Sequence, residues 1–234
     1  MNELERVEAQ AVREAVVLGG GRAELVGGAL CVSQPRIPIM ELNRAFPIGD
    51  QVDVDAIAAW YAGPHTIGTR DDVLQRELAE RGYDAGRTLM KFERDDAPLP
   101  VVAGDLRVEE TLDAPVLGEL LAGDPETPMA AMVGAPGWHC FLAWAEDTPA
   151  ATGSLYVDGT TAWLGVGFTH PDFRRRGAQS ALLAARVEAA RTLGATVMTT
   201  ETGERLPDRP ASSYNNILRA GFREAYLRPN WRSP

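Results

Sequence analysis

Arg174-Arg175-Arg176-Gly177-Ala178-Gln179-Ser180 lies between an apolar, strand-like run at 163–169 and a segment in which Ala178, Ala181, Leu182, Ala185, Ala189 and Leu193 recur at helical spacing. The stretch reads as a strand, a basic turn carrying glycine, and a helix. The first turn of a helix has backbone N–H groups without intrahelical partners and a partial positive charge. A turn that leaves those groups open makes an anion site, most often for phosphate, and flanking arginines add charge and bidentate geometry. The bland readings of the triplet are a solvated basic loop or a nucleic-acid contact. Its place at a strand–helix junction of an acidic protein favours phosphate.

Working outward, the chain of 234 residues is long enough for one large core or two small ones. Its net charge is −10, with 11 basic against 17 acidic residues before residue 98 and 12 against 16 after it. Neither part is basic, so nucleic acid is not an expected partner, and a negative field favours cationic substrates such as amines. Lys91 is the sole lysine. Cys31 and Cys140 lie far apart in apolar surroundings and read as small core residues rather than a disulfide. The start, Met1-Asn2-Glu3-Leu4-Glu5, lacks a signal-peptide layout, and no apolar run reaches ~20 residues, so a cytoplasmic protein without a membrane partner is expected.

The coarse order of elements is legible. A helix carries Leu4, Val7, Ala11 and Ala15, strands are expected at 23–26, 29–33 and 39–42, and Asp53 or Asp55 caps a second helix. Asp71 or Asp72 starts a third helix that ends at Gly82, and 88–92 reads as a strand. The charged, proline-bearing stretch 95–100 is the linker candidate, giving domains at 1–97 and 98–234. Beyond it come a strand at 106–108, a helix at 115–121, a Pro/Gly/Met-rich loop at 123–137, strands at 139–145, 150–157 and 161–168, the 178–193 helix, and a strand at 196–200. Ser212 or Ser213 caps a last helix before a strand at 222–227. Glu77–Tyr83 and Asn216–Phe222 echo each other, each a helix, a stopping glycine and an aromatic. Either any helix-to-strand junction looks like this, or the first half is a diverged copy of the second that lost its basic turn.

On these residues the part from about 100 to 234 resembles the GCN5-related N-acetyltransferase (GNAT) superfamily. The family signature Gln/Arg-x-x-Gly-x-Gly/Ala stands here as Arg174-Arg175-Arg176-Gly177-Ala178-Gln179, after Thr169-His170-Pro171-Asp172-Phe173 and before the closing unit Ser213-Tyr214-Asn215-Asn216-Ile217-Leu218-Arg219-Ala220-Gly221-Phe222. The resemblance implies an α/β (α+β) GNAT fold, a mixed and mostly antiparallel central sheet flanked by helices, preceded here by a smaller α/β domain. It implies acetyl-CoA as co-substrate, with its pyrophosphate held by Arg174, Arg175, Arg176, Gly177, Ala178, Gln179 and Ser180. The strand edge at Phe168 and Thr169 would pair with the pantetheine arm, and Asn216 would contact the cofactor. Two departures stand out: Gln179 occupies a position where the family has Gly or Ala, and Ile217 one where many members have an acid tyrosine. Tyr214, one turn earlier, is the substitute candidate.

The implied chemistry is direct attack of a primary amine on the acetyl thioester, with a small-molecule or peptide amine as acceptor. Glu201 is the candidate base or amine-binding carboxylate, against the plainer reading of a solvated strand-end carboxylate. His170 before Pro171 reads as structural, and His139 and Cys140, adjacent in a strand, point to opposite faces and do not cooperate. With three histidines and no clustered ligands, no metal site is expected. The second functional class left open is a non-catalytic acyl-CoA-binding or regulatory interaction protein. A homodimer is compatible with either.

Overall fold

The computed structural model describes residues 1–37, 39–99 and 106–234; Pro100, the end of the expected linker, lies outside them. The first half contains α1 (Glu3–Leu18), β1 (Arg22–Val26), β2 (Ala29–Ser33), β3 (Asn43–Pro47), α2 (Val54–Trp60), β4 (Thr66–Gly68), α3 (Asp72–Glu80) and β5 (Asp84–Arg94). The second contains β6 (Arg107–Glu110), α4 (Ala114–Ala122), β7 (Trp138–Ala145), β8 (Thr148–Asp158), β9 (Thr161–Thr169), α5 (Ala178–Thr192), β10 (Val197–Gly203), α6 (Ser212–Arg219) and β11 (Arg223–Arg232). No helix among the described residues is long and apolar enough to cross a membrane.

The strands form one mixed sheet in the order β1-β2-β3-β4-β11-β5-β10-β9-β8-β7-β6. Two neighbouring pairs are parallel, β3 with β4 and β9 with β10; the others described are antiparallel. The order is nearly symmetric about the β11–β5 contact. The antiparallel run β1–β3 leads into the parallel pair β3–β4 and the longer run β6–β9 into the parallel pair β9–β10, and the last strand of each half is inserted beside the parallel pair of the other. Thus β5, before residue 97, lies between β10 and β11, and the sheet is continuous across that position. The junctions that deliver these two strands are alike. Gly82 and Gly221 both take left-handed φ, at 80° and 81°. The following N–H groups reach back five residues, Tyr83 to the Leu78 carbonyl at 3.0 Å and Phe222 to the Ile217 carbonyl at 3.3 Å. A left-handed glycine lets the helix end and the chain reverse into a strand.

Helices cover both faces. α5 and α6 bury Leu182, Leu183, Val187 and Ile217 against β7–β10 on one side. On the other, α1, α4 and the 3-10 turn Pro128–Met132 pack Val7, Val12, Leu117 and Met132 around Trp138 and Trp163. α1 belongs to the first half by sequence but packs on strands of both halves, β1 and β2 as well as β8, β9 and β10.

β5 and β11 run longer than the expected 88–92 and 222–227, spanning Asp84–Arg94 and Arg223–Arg232, and four further segments also differ from the sequence expectation. Residues 40–42 form a 3-10 turn rather than a strand. Asn43 enforces it by donating to the carbonyls of Ile37 and Ile39 at 3.1 and 2.9 Å, which delays the strand to Asn43. The 123–137 segment is not a loose loop, for its 3-10 turn Pro128–Met132 buries Met132 completely against α1. β10 extends to Gly203 because antiparallel pairing with β5 runs as far as Gly203 opposite Leu89. Neither serine caps α6; Ala211 precedes it without a side-chain cap.

Candidate functional site

Asn2, Asp53, Asp71 and Asp113 accept backbone N–H bonds at the starts of α1, α2, α3 and α4. α5 departs from that pattern: Gly177 precedes it at φ 81°, ψ 0°, with no side-chain cap. Arg175 also has positive φ, 64°. The combination folds the turn around the open helix end and leaves its first N–H groups for an anion. A cleft of about 820 Å³ opens there. Phe168, Thr169, Arg174, Arg175 and Gly177 border it, as do Ala178, Gln179, Ser180 and Asn216. Arg176 turns aside and lies over the Phe173 ring, 5.5 Å from its centroid, and Arg219 of α6 completes the basic rim. At the corresponding place in the first half, α2 is seven residues long and closed by Asp53, with Asp55 in its first turn, which repels an anion.

From the turn the cleft follows β9 to a splay in the sheet. β9 pairs with β10 only from Thr161 to Trp163; beyond that the strands part, linked by the Thr200 hydroxyl donating to the Leu164 carbonyl at 2.7 Å. In the separated stretch β9 carries a bulge opposite β8, where Thr152 faces Phe168 but Ser154 faces Gly165. Val166 within it has φ 49°. A β-branched residue in that region costs of order 1–3 kcal/mol and marks backbone held out of the ladder for a purpose.

A second cavity of about 640 Å³ passes through this gap to the α1/α4 side of the sheet. Its walls are apolar, including Ile37, Leu42, Leu121, Met129 and Trp163, and its charged lining groups are Glu41, Arg44, Arg87, Arg186 and Glu201. Gly167, Phe168, Gln179, Arg186 and Ser213 border both cavities and so mark where they meet.

Glu201 sits within β10, opposite Lys91. Lys91 Nζ donates to Glu201 Oε2 at 2.6 Å, and the Trp163 indole N–H lies 3.1 and 3.2 Å from the two carboxylate oxygens. Oε1 thus receives only the longer indole bond and keeps acceptor capacity towards the cavity. Lys91 is fully buried and also donates to Glu8 of α1 at 2.7 Å. Arg228 grips Glu8 through two bonds of 2.7 and 2.8 Å, and Arg44 donates to the same carboxylate. Burial pushes the Glu8 carboxyl up, but the charges of Arg228, Arg44 and Lys91 outweigh it and hold the pKa well below the usual carboxylate range. The network ties α1, β3, β5, β10 and β11 together under the cavity floor.

Tyr214 is buried in the α6 core against Phe92, its hydroxyl donates to Glu224 at 2.5 Å, and it borders neither cavity. Burial and that bond push its pKa up to about 12. Asn216 donates to the Gln179 side chain at 2.9 Å, which draws the glutamine towards α6. His139 lies 2.8 Å from Glu110, while Cys140 is buried with its thiol pKa raised by desolvation, so the two side chains part company. His170 accepts from the Asp172 backbone at 3.4 Å. Among the described residues no group of three or more His, Cys, Asp or Glu is placed to hold a metal ion.

Sequence reasoning missed Arg186, Ser213, Trp163 and the Glu8–Lys91–Arg228 network. Arg186 left one signal, an arginine four residues after Leu182 on the apolar stripe of α5. The others depend on contacts between distant segments.

The site thus combines an open helix end at a basic turn, a splayed parallel pair and a cavity passing through the splay. Residues 108–208 match the acetyltransferase (GNAT) family, and this part of the chain is a GNAT acetyltransferase domain. No curated protein sequence matches the chain. Among solved structures, a GCN5-related N-acetyltransferase from Kribbella flavida is similar over 100% of this chain and 96% of its own, at 16% identity and TM-score 0.71. A GCN5-related N-acetyltransferase from Sphaerobacter thermophilus covers 73% of this chain and 59% of its own, at 16% identity and TM-score 0.59. A tandem GNAT protein from the clavulanic acid biosynthesis pathway covers 81% and 74%, at 16% identity and TM-score 0.56.

Proposed function

We propose that the protein transfers the acetyl group of acetyl-CoA to the primary amine of a small molecule by direct attack. The observation that carries this reading is the junction of the two cavities at the β9 bulge, where a donor held at the α5 end of one meets an acceptor in the other. Backbone N–H groups of 177–180, with Arg174 and Arg175, hold the pyrophosphate, and the unpaired edge of β9 at Phe168 and Thr169 receives the amides of the pantetheine arm. Glu201 Oε1 receives an N–H of the amine, and Lys91 and Trp163 fix the carboxylate in the position that aims the nitrogen lone pair at the carbonyl carbon. Ser213 places a hydroxyl at the border of both cavities.

Continuous measurement of thiol release across a panel of small amines and peptide N-termini tests the proposal. Turnover of at least one small amine is expected, and saturable acetyl-CoA binding with no turnover on any acceptor would make the protein an acyl-CoA-binding module instead. Glu201→Gln is expected to lower kcat/KM for the amine about a hundredfold while leaving the KM for acetyl-CoA within a factor of about three. An unchanged amine kcat/KM would remove Glu201 from the site.

The first half is read as a diverged copy of the GNAT half, with the boundary near residue 97. The mirrored strand order, the matching Gly82 and Gly221 junctions and the closed end of α2 support this. In that reading its task is to supply β5, α1 and the wall of the acceptor cavity that carries Ile37, Ile39, Glu41, Leu42 and Arg44.

A further inference from the structure

Arg186 lies in the third turn of α5, 4% exposed. Its Nε donates to the Leu182 carbonyl at 3.1 Å, and one Nη donates to the Ser154 and Gly165 carbonyls at 3.2 and 3.1 Å. The second Nη makes no hydrogen bond with any described residue, and no carboxylate of a described residue stands within salt-bridge distance of the guanidinium. Space for the group is made by Gly153, where a Cβ would stand 2.7 Å from the guanidinium carbon. Arg186 is also one of the five residues bordering both cavities, and one of its bonds ends on the first residue of the β9 bulge. A buried cation with no counter-ion is costly and is compensated when an anion comes to it.

We propose that Arg186 is a catalytic residue that stabilises the coenzyme A thiolate as it leaves. The inference rests on the donor placement under Proposed function. In the reaction the amine lone pair forms the N–C bond to the thioester carbonyl carbon, and the carbonyl π pair moves to oxygen. It returns as the C–S bond breaks, and sulfur departs with the bonding pair. The amine proton passes to solvent. The group that must be accommodated at the junction is therefore an anionic sulfur. With Ile217 where a proton-donating tyrosine is common in the resembling family, a fixed cation does for the thiolate what protonation would otherwise do. Burial lowers the Arg186 pKa to about 10, and no titratable side chain on β6, β7, β8, β9 or α6, the elements packed on α5, adds to that effect. It remains charged at neutral pH.

The proposal is tested by calorimetric titration of the full chain with CoA and with acetyl-CoA at pH 7.5, each in two buffers of different ionisation enthalpy. A thiol near an opposite charge titrates about 1–3 pH units lower than it does free in solution. CoA binding should therefore release a measurable fraction of a proton beyond what acetyl-CoA releases, the phosphates being common to both. Arg186→Met should abolish that difference and lower kcat about a hundredfold with the KM for acetyl-CoA little changed, and Arg186→Lys should restore part of both. Binding of both ligands by the wild type with equal proton release would overturn the role of Arg186 while leaving the donor site intact. Failure of the wild type to bind either would overturn the donor placement itself, and this inference with it. A strong preference for a succinyl donor over acetyl, lost in Arg186→Met, would instead assign the cation to an acyl carboxylate and also overturn the proposal. The wild-type titration stands alone should the methionine variant not fold.

Discussion

Replacing Gly177 by aspartate is expected to weaken acetyl-CoA binding about a thousandfold while the protein stays folded. The two halves of that outcome have one cause. Gly177 is the N-cap of α5, and the helix end is open because glycine offers it no side chain. An aspartate there would accept the N–H groups of the first turn, as Asp53, Asp71 and Asp113 do at α2, α3 and α4. The donors that serve a phosphate would be taken, and a negative charge would stand in its place. Loss of two or three charge-assisted bonds at about 1.5–3 kcal/mol each accounts for the thousandfold, since each factor of ten is about 1.4 kcal/mol. The left-handed φ of 81° costs a non-glycine residue about 1–2 kcal/mol, which the new cap offsets in part. Equilibrium binding and thermal unfolding read the two effects separately. Undiminished affinity would show that the basic turn is not the phosphate site.

Glu8→Gln is the second large effect, this time on stability. Glu8 is fully buried and is the common acceptor for Arg228, Arg44 and Lys91. Its neutral replacement leaves three buried cations sharing one remaining carboxylate, Glu201, which only Lys91 reaches. Breaking a buried ion cluster from one side costs about 3–5 kcal/mol, because the abandoned charges stay desolvated. The folded pKa of Glu8 lies below its ordinary 4.5. Its contribution is therefore fully present above about pH 4.5 and lost as the pH falls through the folded value. Urea unfolding at pH 7 should show the full deficit in the variant, and the gap to wild type should narrow with acidification. A loss below about 1 kcal/mol at pH 7 would mean that the cluster contributes little net stability.

The two sites differ in how far they could be read from the chain. The basic turn proposed to hold the phosphates was legible because it is local: a strand, a turn with three arginines and a glycine, and a helix with apolar period are contiguous over 163–193. The stops at Gly82 and Gly221 and the caps at Asp53 and Asp71 are local in the same way. Glu201 could be named as a carboxylate near the end of a strand, but its partners Lys91 and Trp163 lie 110 and 38 residues away. Tyr214 shows the limit of spacing arguments. One helical turn separates it from Ile217, yet the packing of α6 sends its ring to Phe92 and its hydroxyl to Glu224.

Short-range order therefore came from the sequence by itself: the order of helices and strands, the open helix end, and the acidic background against which three arginines stand out. The tertiary structure alone decided that β5 and β11 exchange places between the halves. Strand insertion is governed by pairing edges and buried faces contributed by segments more than a hundred residues apart, and no local pattern encodes it. That exchange carries Lys91 to Glu201 and Arg228 to Glu8. Alongside it, α5 packs against β8 and β9 and buries Arg186 at the splay. These are the charges on which the proposed chemistry depends.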